Sequence, residues 1–240
     1  MTDGFLVVDK AGGMTSHDVV AVGRKALGTR KVGHAGTLDP MATGILVLGF
    51  GNGTRLLQYI TDGDKSYTAT IVLGASTTTD DHEGEILTTA DATGGSDEDI
   101  KRILGAMVGD IMQRPTNVSA IKVDGKRAYD FARAGKEVEL KQSQIEISDF
   151  KINAERFPEI DFEISCSKGT YIRTLAEDIG QTLGCCAHLK ALERTQTGNF
   201  QLSEALTIEV LEEMSMASRE KVLLPTDALL EGLSSVKLTL

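Results

Sequence analysis

The 240-residue sequence predicts an α+β fold built on a largely antiparallel mixed sheet. Three observations carry that prediction. The segment from Lys65 to Leu73 sets Tyr67, Ala69, Ile71 and Leu73 against Ser66, Thr68 and Thr70, and Ile160 to Cys166 alternates in the same way. A period of two marks a strand with one wet face. By contrast, Ile172, Leu175, Ala176, Ile179 and Leu183 recur at spacings of three and four, the stripe of an amphipathic helix. Finally, strands do not alternate regularly with helices and hairpin-like pairs recur, which argues against a doubly wound parallel sheet.

The elements follow in order. Phe5 to Val8 is a short apolar run stopped by Asp9, Lys10 and the Gly12-Gly13 turn, so a buried strand is predicted there. Thr15 and Ser16 are placed to cap a helix with Val19, Val22 and Ala26 inward and Gly28 as its terminator. Residues 33–44, GHAGTLDPMATG, are too rich in glycine and too broken by proline for either regular element, and a loop is expected. Ile45 to Leu48 reads as a buried strand, followed by a turn to Gly53 and a short helix capped by Thr54. Residues 74–99 are turn-rich and acidic, with a short strand near Glu85 to Leu87. Ser96 and Asp99 resemble a capping box before a helix with Ile100, Ile103, Leu104 and Met107 on one face, closed by Gly109. Beyond it come a strand-like VSAIKV, a turn at Asp124-Gly125, a helix over KRAYDFARAG and the alternating EVELK. Gly169-Thr170 leads into the helix that ends at Gly184, and the tail carries a helical TIEVLEEM, then LLPTDALL and a strand-like SVKLTL.

Composition bounds what such a chain does. With 41% hydrophobic residues it can bury a core without a disulfide or metal. No run approaches the roughly 18 apolar residues of a membrane span, and the opening lacks a signal peptide, so a soluble protein is expected. Three cysteines, two of them adjacent at Cys185 and Cys186, suit a reducing cytoplasm. The net charge of −10 argues against unspecific nucleic-acid binding, but it is unevenly spread. Residues 101–145 hold 9 basic against 5 acidic side chains, whereas 61–100 hold 1 against 10. A locally basic stretch in an acidic chain is what a shaped polyanion site looks like.

Chemistry concentrates in the 33–44 loop, which holds the imidazole of His34, the hydroxyls of Thr37 and Thr43, and the carboxylate of Asp39 ahead of Pro40. A residue before proline is kept out of the α region, so Asp39 is either a presented functional group or the start of a structural turn. The loop contains neither of the familiar phosphate-binding glycine patterns. In GTYIRTLAEDIG, residues 169–180, Tyr171 and Arg173 sit where a strand meets a helix, and a guanidinium there needs an anionic partner. Asp39 and Glu177 are both candidates. Asp80, Asp81, His82 and Glu83 are oxygen and nitrogen donors, but adjacent ligands fit no established calcium or zinc spacing, and no metal is expected.

Taken together, GHAGTLDPMATG, KSYTATIVLG, GASTTTDDHEG, VSAIKVDGKRAY and GTYIRTLAEDIG resemble, in order, the motifs of the bacterial tRNA pseudouridine-55 synthase family. LVVDKAGGMTSHDVV and LGCCAHLKALERTQTGNF are also similar to family segments. The resemblance implies a pseudouridine-synthase-like catalytic domain over residues 1–224. It carries an RNA-gripping thumb at about 114–145, and residues 225–240 form a tail left from an RNA-binding domain. The implied reaction converts the uridine at position 55 in the tRNA T loop to pseudouridine, without cofactor or metal, in a cytoplasmic monomer. On that likeness Asp39 is the nucleophile, Tyr67 stacks on the target base, and Arg173 pairs with Asp39. His34 fills the space the flipped base leaves, and Tyr171 and Leu192 line the base pocket. Lys65, Lys122, Lys126 and Arg127 contact RNA. The chain departs from the family pattern at Val118, where many members have tyrosine, and at Glu193, where arginine is frequent. Two other classes compete: a tRNA chaperone that refolds the T arm without modifying it, and a metal-dependent hydrolase built on Asp80, Asp81 and His82.

Overall fold

A computed structural model describes residues 3–92, 96–116, 122–123, 125–128, 131, 138 and 140–230. The chain divides into two compact units, Met1–Gly63 with Thr195–Leu240, and Asp64–Arg194. The strands in chain order are β1 (Gly4–Lys10), β2 (Val32–His34), β3 (Thr43–Phe50), β4 (Lys65–Leu73), β5 (Ala75–Thr77), β6 (Ile86–Thr89) and β7 (Gly109–Gln113). They continue as β8 (Lys122–Val123), β9 (Lys126–Arg127), β10 (Ser143–Asn153), β11 (Glu159–Cys166), β12 (Ala187–Thr197), β13 (Phe200–Gln201) and β14 (Leu206–Thr207). The helices are α1 (Ser16–Leu27), α2 (Leu57–Asp62), α3 (Asp97–Gly105), α4 (Ile172–Thr182), α5 (Ile208–Glu213) and α6 (Met216–Lys221).

In the first unit β1 runs antiparallel to β3 along its whole length, from Gly4 opposite Phe50 to Lys10 opposite Gly44. β2 pairs with β3, and β14 joins β1 in parallel. Successive side chains of a strand point to opposite faces. Leu6 and Val8, with Leu46 and Leu48, therefore pack on Val19, Val20 and Ala26 of α1. Phe5 and Val7, with Ile45 and Val47, pack on the other side against Leu57, Ile60 and Phe200. Burial on both faces is why β1 and β3 read as unbroken apolar runs rather than alternations.

α1 starts as its sequence predicts. The Thr15 hydroxyl accepts from the Asp18 amide, the Asp18 carboxylate accepts from the Thr15 amide, and Gly28 ends the helix with φ 60°. Thr54 does not cap α2. It lies inside a single 3₁₀ turn, Gly51–Arg55, and its hydroxyl donates to the Gly51 carbonyl. The expected loop at 33–44 is also shorter: Gly33 and His34 belong to β2, and Thr43 and Gly44 to β3. Glycine is a poor strand residue, so the sequence does not mark these ends; pairing with β3 supplies the backbone bonds that hold them.

The sheet of the second unit has the order β12-β4-β11-β10-β7. β4 and β11 pair antiparallel from Lys65 opposite Cys166 to Val72 opposite Glu159, and β10 runs antiparallel to both β11 and β7. The predicted alternation holds: Tyr67, Ala69, Ile71 and Leu73 are buried from β4, and Ile160, Phe162, Ile164 and Cys166 from β11. Burial pushes the Cys166 thiol up to about 11, and all three cysteines are free. α3 ends at Gly105, and Gly109, expected to close it, opens β7 with φ 111°. Lys126 and Arg127 were expected to begin a helix; they form β9, paired with β8 around Gly125 at φ 81°. A turn glycine in the left-handed region favours a hairpin over a helix start. The VSAI segment, most of the expected 126–135 helix and SVKLTL lie outside the described residues.

Gly180 near the end of α4 shows how closely the helix approaches β12. A Cβ there would lie 2.5 Å from the Ala187 amide nitrogen and 2.7 Å from the Cys186 carbonyl carbon. Backbone cannot give way as a side-chain tip can. Gly180→Ala is expected to lower unfolding free energy by about 1–3 kcal/mol despite alanine's better helix propensity, read by urea denaturation.

Candidate active site

The first unit presents Asp39 on a turn whose backbone is tied on both sides. The Asp39 carbonyl accepts from the Ala42 amide at 3.1 Å, with Pro40 in the second position, where its fixed φ favours a turn. The turn reading of Asp39 holds, and the turn sets where this half-buried residue sits. Lys10, at the end of β1, is fully buried, and its ammonium donates to the carbonyls of Ala11 (2.9 Å), Met14 (2.8 Å) and Pro40 (3.1 Å). These carbonyls give the buried ammonium hydrogen-bond acceptors in place of water. The Gly13 amide also donates to the Pro40 carbonyl, at 2.8 Å. On the other side of Asp39, the buried Ser16 hydroxyl accepts from the Leu38 amide and donates to the Leu38 carbonyl. His34, from β2, is half-buried, and its ring meets that of His17 edge to face at 5.7 Å.

In the second unit β4 buries Lys65 and Tyr67 from the same face as Ala69 and Ile71. Leu192 is buried from β12, whose alternation changes phase at the exposed pair Lys190-Ala191. Tyr171 stands just before α4 in extended conformation. Its amide donates to the Gln113 side chain at 2.8 Å, and its carbonyl accepts from the same side chain at 3.1 Å. Gln113 is itself buried at the end of β7. The side chains of Lys122, Lys126 and Arg127 lie outside the described residues; their backbone forms the β8–β9 hairpin.

Arg173 occupies the second position of α4 and is only 6% exposed. Its guanidinium donates to the Thr79 carbonyl at 3.1 Å and stands 3.8 Å from a carboxylate oxygen of Asp81. Asp81 is buried and organises the connection between β5 and β6. Its carboxylate accepts from the Thr79 hydroxyl and the Glu83 amide, and its carbonyl accepts from Thr77. The His82 amide and the Leu189 amide lash this connection to β12. Glu177, one turn beyond Arg173, accepts from Gln181. Sequence reasoning considered Asp81 as a metal ligand and missed it as the anchor of Arg173. The two lie 92 positions apart, and no local pattern joins them.

Asp80 adopts φ 61°, unusual for a residue with a side chain, and its carboxylate accepts from the Thr116 hydroxyl at 2.7 Å. Burial raises its pKa above the ordinary aspartate value, adjacent Asp81 adds to the shift, and Thr116 and Arg173 oppose it. Among the described residues no three His, Cys, Asp or Glu side chains converge as metal ligands. Nor is any helix there long and apolar enough to cross a membrane.

Comparison with known proteins identifies the family and the fold. Residues 24–172 match the model of the TruB family pseudouridylate synthase N-terminal domain, and residues 173–231 that of the tRNA pseudouridylate synthase B C-terminal domain. A tRNA pseudouridine synthase B of Rhodococcus jostii (strain RHA1) is 54% identical over 215 residues, covering 88% of this chain and 70% of that protein. One of Nocardia farcinica (strain IFM 10152) is 54% identical over 212 residues, covering 87% and 69%. Among solved structures, a chain of a Cbf5-Nop10-Gar1 complex superposes with TM-score 0.73 at 26% identity over 96% of this chain. This chain spans 62% of that one. A chain of the archaeal box H/ACA sRNP Nop10-Cbf5 complex, at 24% identity and TM-score 0.70, covers 96% of this chain and 62% of its own and shares the fold.

Because Asp80 holds its proton more tightly folded than unfolded, its charge costs stability above the raised value, and that cost fades as pH falls through it. Asp80→Asn keeps an acceptor for Thr116 and tolerates the left-handed backbone. The variant is expected to melt at or above wild type at pH 7, with the difference shrinking as pH approaches 4, in thermal unfolding across that range.

Proposed function

The chain belongs to the TruB family of pseudouridylate synthases, and we propose that it isomerises uridine 55 in the T loop of tRNA to pseudouridine. Supporting this reading is one observation above the rest: Asp39 lies inside the matched N-terminal domain on a turn tied at both Leu38 and Pro40. A reacting group must be held within a fraction of an ångström, and buried backbone ties do that better than a free loop.

The reaction breaks the bond between uracil N1 and ribose C1′, turns the base, and joins C5 to C1′. A proton leaves C5 and one is gained at N1, so no atom is added or lost and no cofactor enters. The target uridine leaves the T-loop stack first, at a cost of a few kcal/mol. His34 fills the gap it leaves, while Tyr67, Tyr171 and Leu192 receive the base on aromatic and apolar surface. Asp39 acts as nucleophile on the flipped nucleotide. Arg173 supplies the positive charge that complements the Asp39 carboxylate. Within its own unit that guanidinium is aimed by Asp81 and the Thr79 carbonyl.

Lys122, Lys126 and Arg127, in a thumb at about 114–145, contact the phosphates of the T arm, whereas Lys65, buried on the Tyr67 face of β4, contacts the RNA only at the target nucleotide. The excess of basic residues over 101–145 supports that role in a chain of net charge −10. The catalytic domain is residues 1–224, acting as a monomer; the three free thiols suit a cytoplasmic setting.

The test uses an unmodified tRNA transcript labelled with tritium at uridine C5. Wild type is expected to release tritium, and replacing the target uridine should abolish release. Asp39→Asn should lower turnover by at least about 10³-fold while leaving the Kd for tRNA within about threefold. Full turnover by Asp39→Asn would remove Asp39 from the chemistry. Tight binding by wild type with no release would instead identify a protein that binds the T arm without modifying it.

A further inference from the structure

Ser16 is buried, 2% exposed, at the first position of α1. A serine at a helix start usually serves the helix, as a cap for its free amides. That task is already taken by Thr15, whose hydroxyl receives the Asp18 amide. Ser16 spends its hydroxyl elsewhere, 22 residues away. It accepts from the Leu38 amide at 2.9 Å and donates to the Leu38 carbonyl at 3.1 Å. Both backbone polar groups of one buried residue are thus satisfied by one side chain, at the position immediately before Asp39.

Among the described residues no other group bonds the Leu38 amide or carbonyl, and its side chain, 4% exposed, anchors it in the unit's interior. With Leu38 held by Ser16, the Asp39 carbonyl by the Ala42 amide, and the Pro40 carbonyl by Lys10 and Gly13, the backbone is tied on both sides of Asp39. The direction of the Asp39 Cα–Cβ bond is then set by the turn together with the first turn of α1 that holds its leading residue.

We propose that Ser16 is a positioning residue for the reaction, holding Leu38 so that the Asp39 carboxylate is aimed before RNA arrives. This rests on the reading of Asp39 as the nucleophile. Ser16 touches no substrate; its loss acts through the backbone of Leu38. Removing the hydroxyl leaves a buried amide and a buried carbonyl without their partner, and the 37–39 backbone shifts to satisfy them. A displacement near 1 Å at a reacting group typically costs about 100-fold in rate.

The experiment compares Ser16→Ala with Val19→Ala in the full chain. Val19 is fully buried one turn along α1 and packs on the sheet, so its truncation destabilises the same helix without removing the clasp. Three quantities are read for each: melting temperature, tRNA Kd, and the single-turnover rate of tritium release at saturating enzyme. Ser16→Ala is expected to lose about 10- to 100-fold in single-turnover rate with its Kd within about threefold of wild type. Val19→Ala, at an equal or greater loss of melting temperature, should stay within about threefold of the wild-type rate. A wild-type rate in Ser16→Ala, or an equal rate loss in Val19→Ala, would overturn the proposal. Amide hydrogen exchange in the RNA-free protein decides the clasp independently of activity. In Ser16→Ala, exchange at Leu38 should accelerate while the β3 amides stay protected; unchanged protection at Leu38 counts against the clasp. If wild type releases no tritium, the functional reading fails, and the exchange result still shows whether Ser16 orders the loop.

Discussion

Much in the first unit depends on a single buried ammonium. Lys10 ends β1 with no exposure, and its three donors bind carbonyls from two segments, the 11–14 turn and the 39–42 turn. A charge buried without partners costs several kcal/mol, so these two segments must converge on it for the unit to fold. The convergence brings Pro40 against Gly13 and lays the turn beside the first turn of α1, where Ser16 takes hold of Leu38. β1 pairs with β3 along its whole length, with Lys10 opposite Gly44, and this register fixes the position of Lys10. The rigidity of the Asp39 turn is therefore inherited from the core through β1 and α1.

The second unit uses the same device with different chemistry. Gln113 closes both hydrogen bonds of a buried amide on the backbone of Tyr171, as Ser16 does on Leu38. The residue so held leads directly into α4, where Arg173 is aimed by a carboxylate and a carbonyl from the connection between β5 and β6. In both units the backbone beside a candidate site residue is clamped by a short polar side chain from a regular element, which fixes the origin from which that side chain extends.

What was legible in the sequence follows from the range of the interaction that fixes it. The alternation of β4 and β11, the capping box of α1 and the stripe of α4 are local, and periodicity alone locates them. The Asp39-Pro40 turn was legible because proline restricts its neighbours. Apart from local slips such as the Thr54 cap, the missed features are long-range or carried by backbone. Lys10 binds carbonyls, which leave no residue signature. Ser16 and Leu38, Gln113 and Tyr171, and Asp81 and Arg173 pair across 22, 58 and 92 positions. The glycine ends of β2 and β3 were read as loop because pairing, not propensity, makes them strands. The chemistry itself was legible only through the ordered motifs and the family they resemble; no composition or period distinguishes a uridine isomerase.

The central claim is that Asp39 of this chain converts one uridine of the T loop. The most direct measurement maps pseudouridine by carbodiimide modification and primer extension, in tRNA from a bacterial strain lacking its own T-loop enzyme and expressing this chain. The account predicts a stop one nucleotide 3′ of uridine 55 with wild type, none with Asp39→Asn, and no new stop elsewhere in the tRNA. A stop at that site with Asp39→Asn, or its absence with well-expressed wild type, would contradict it.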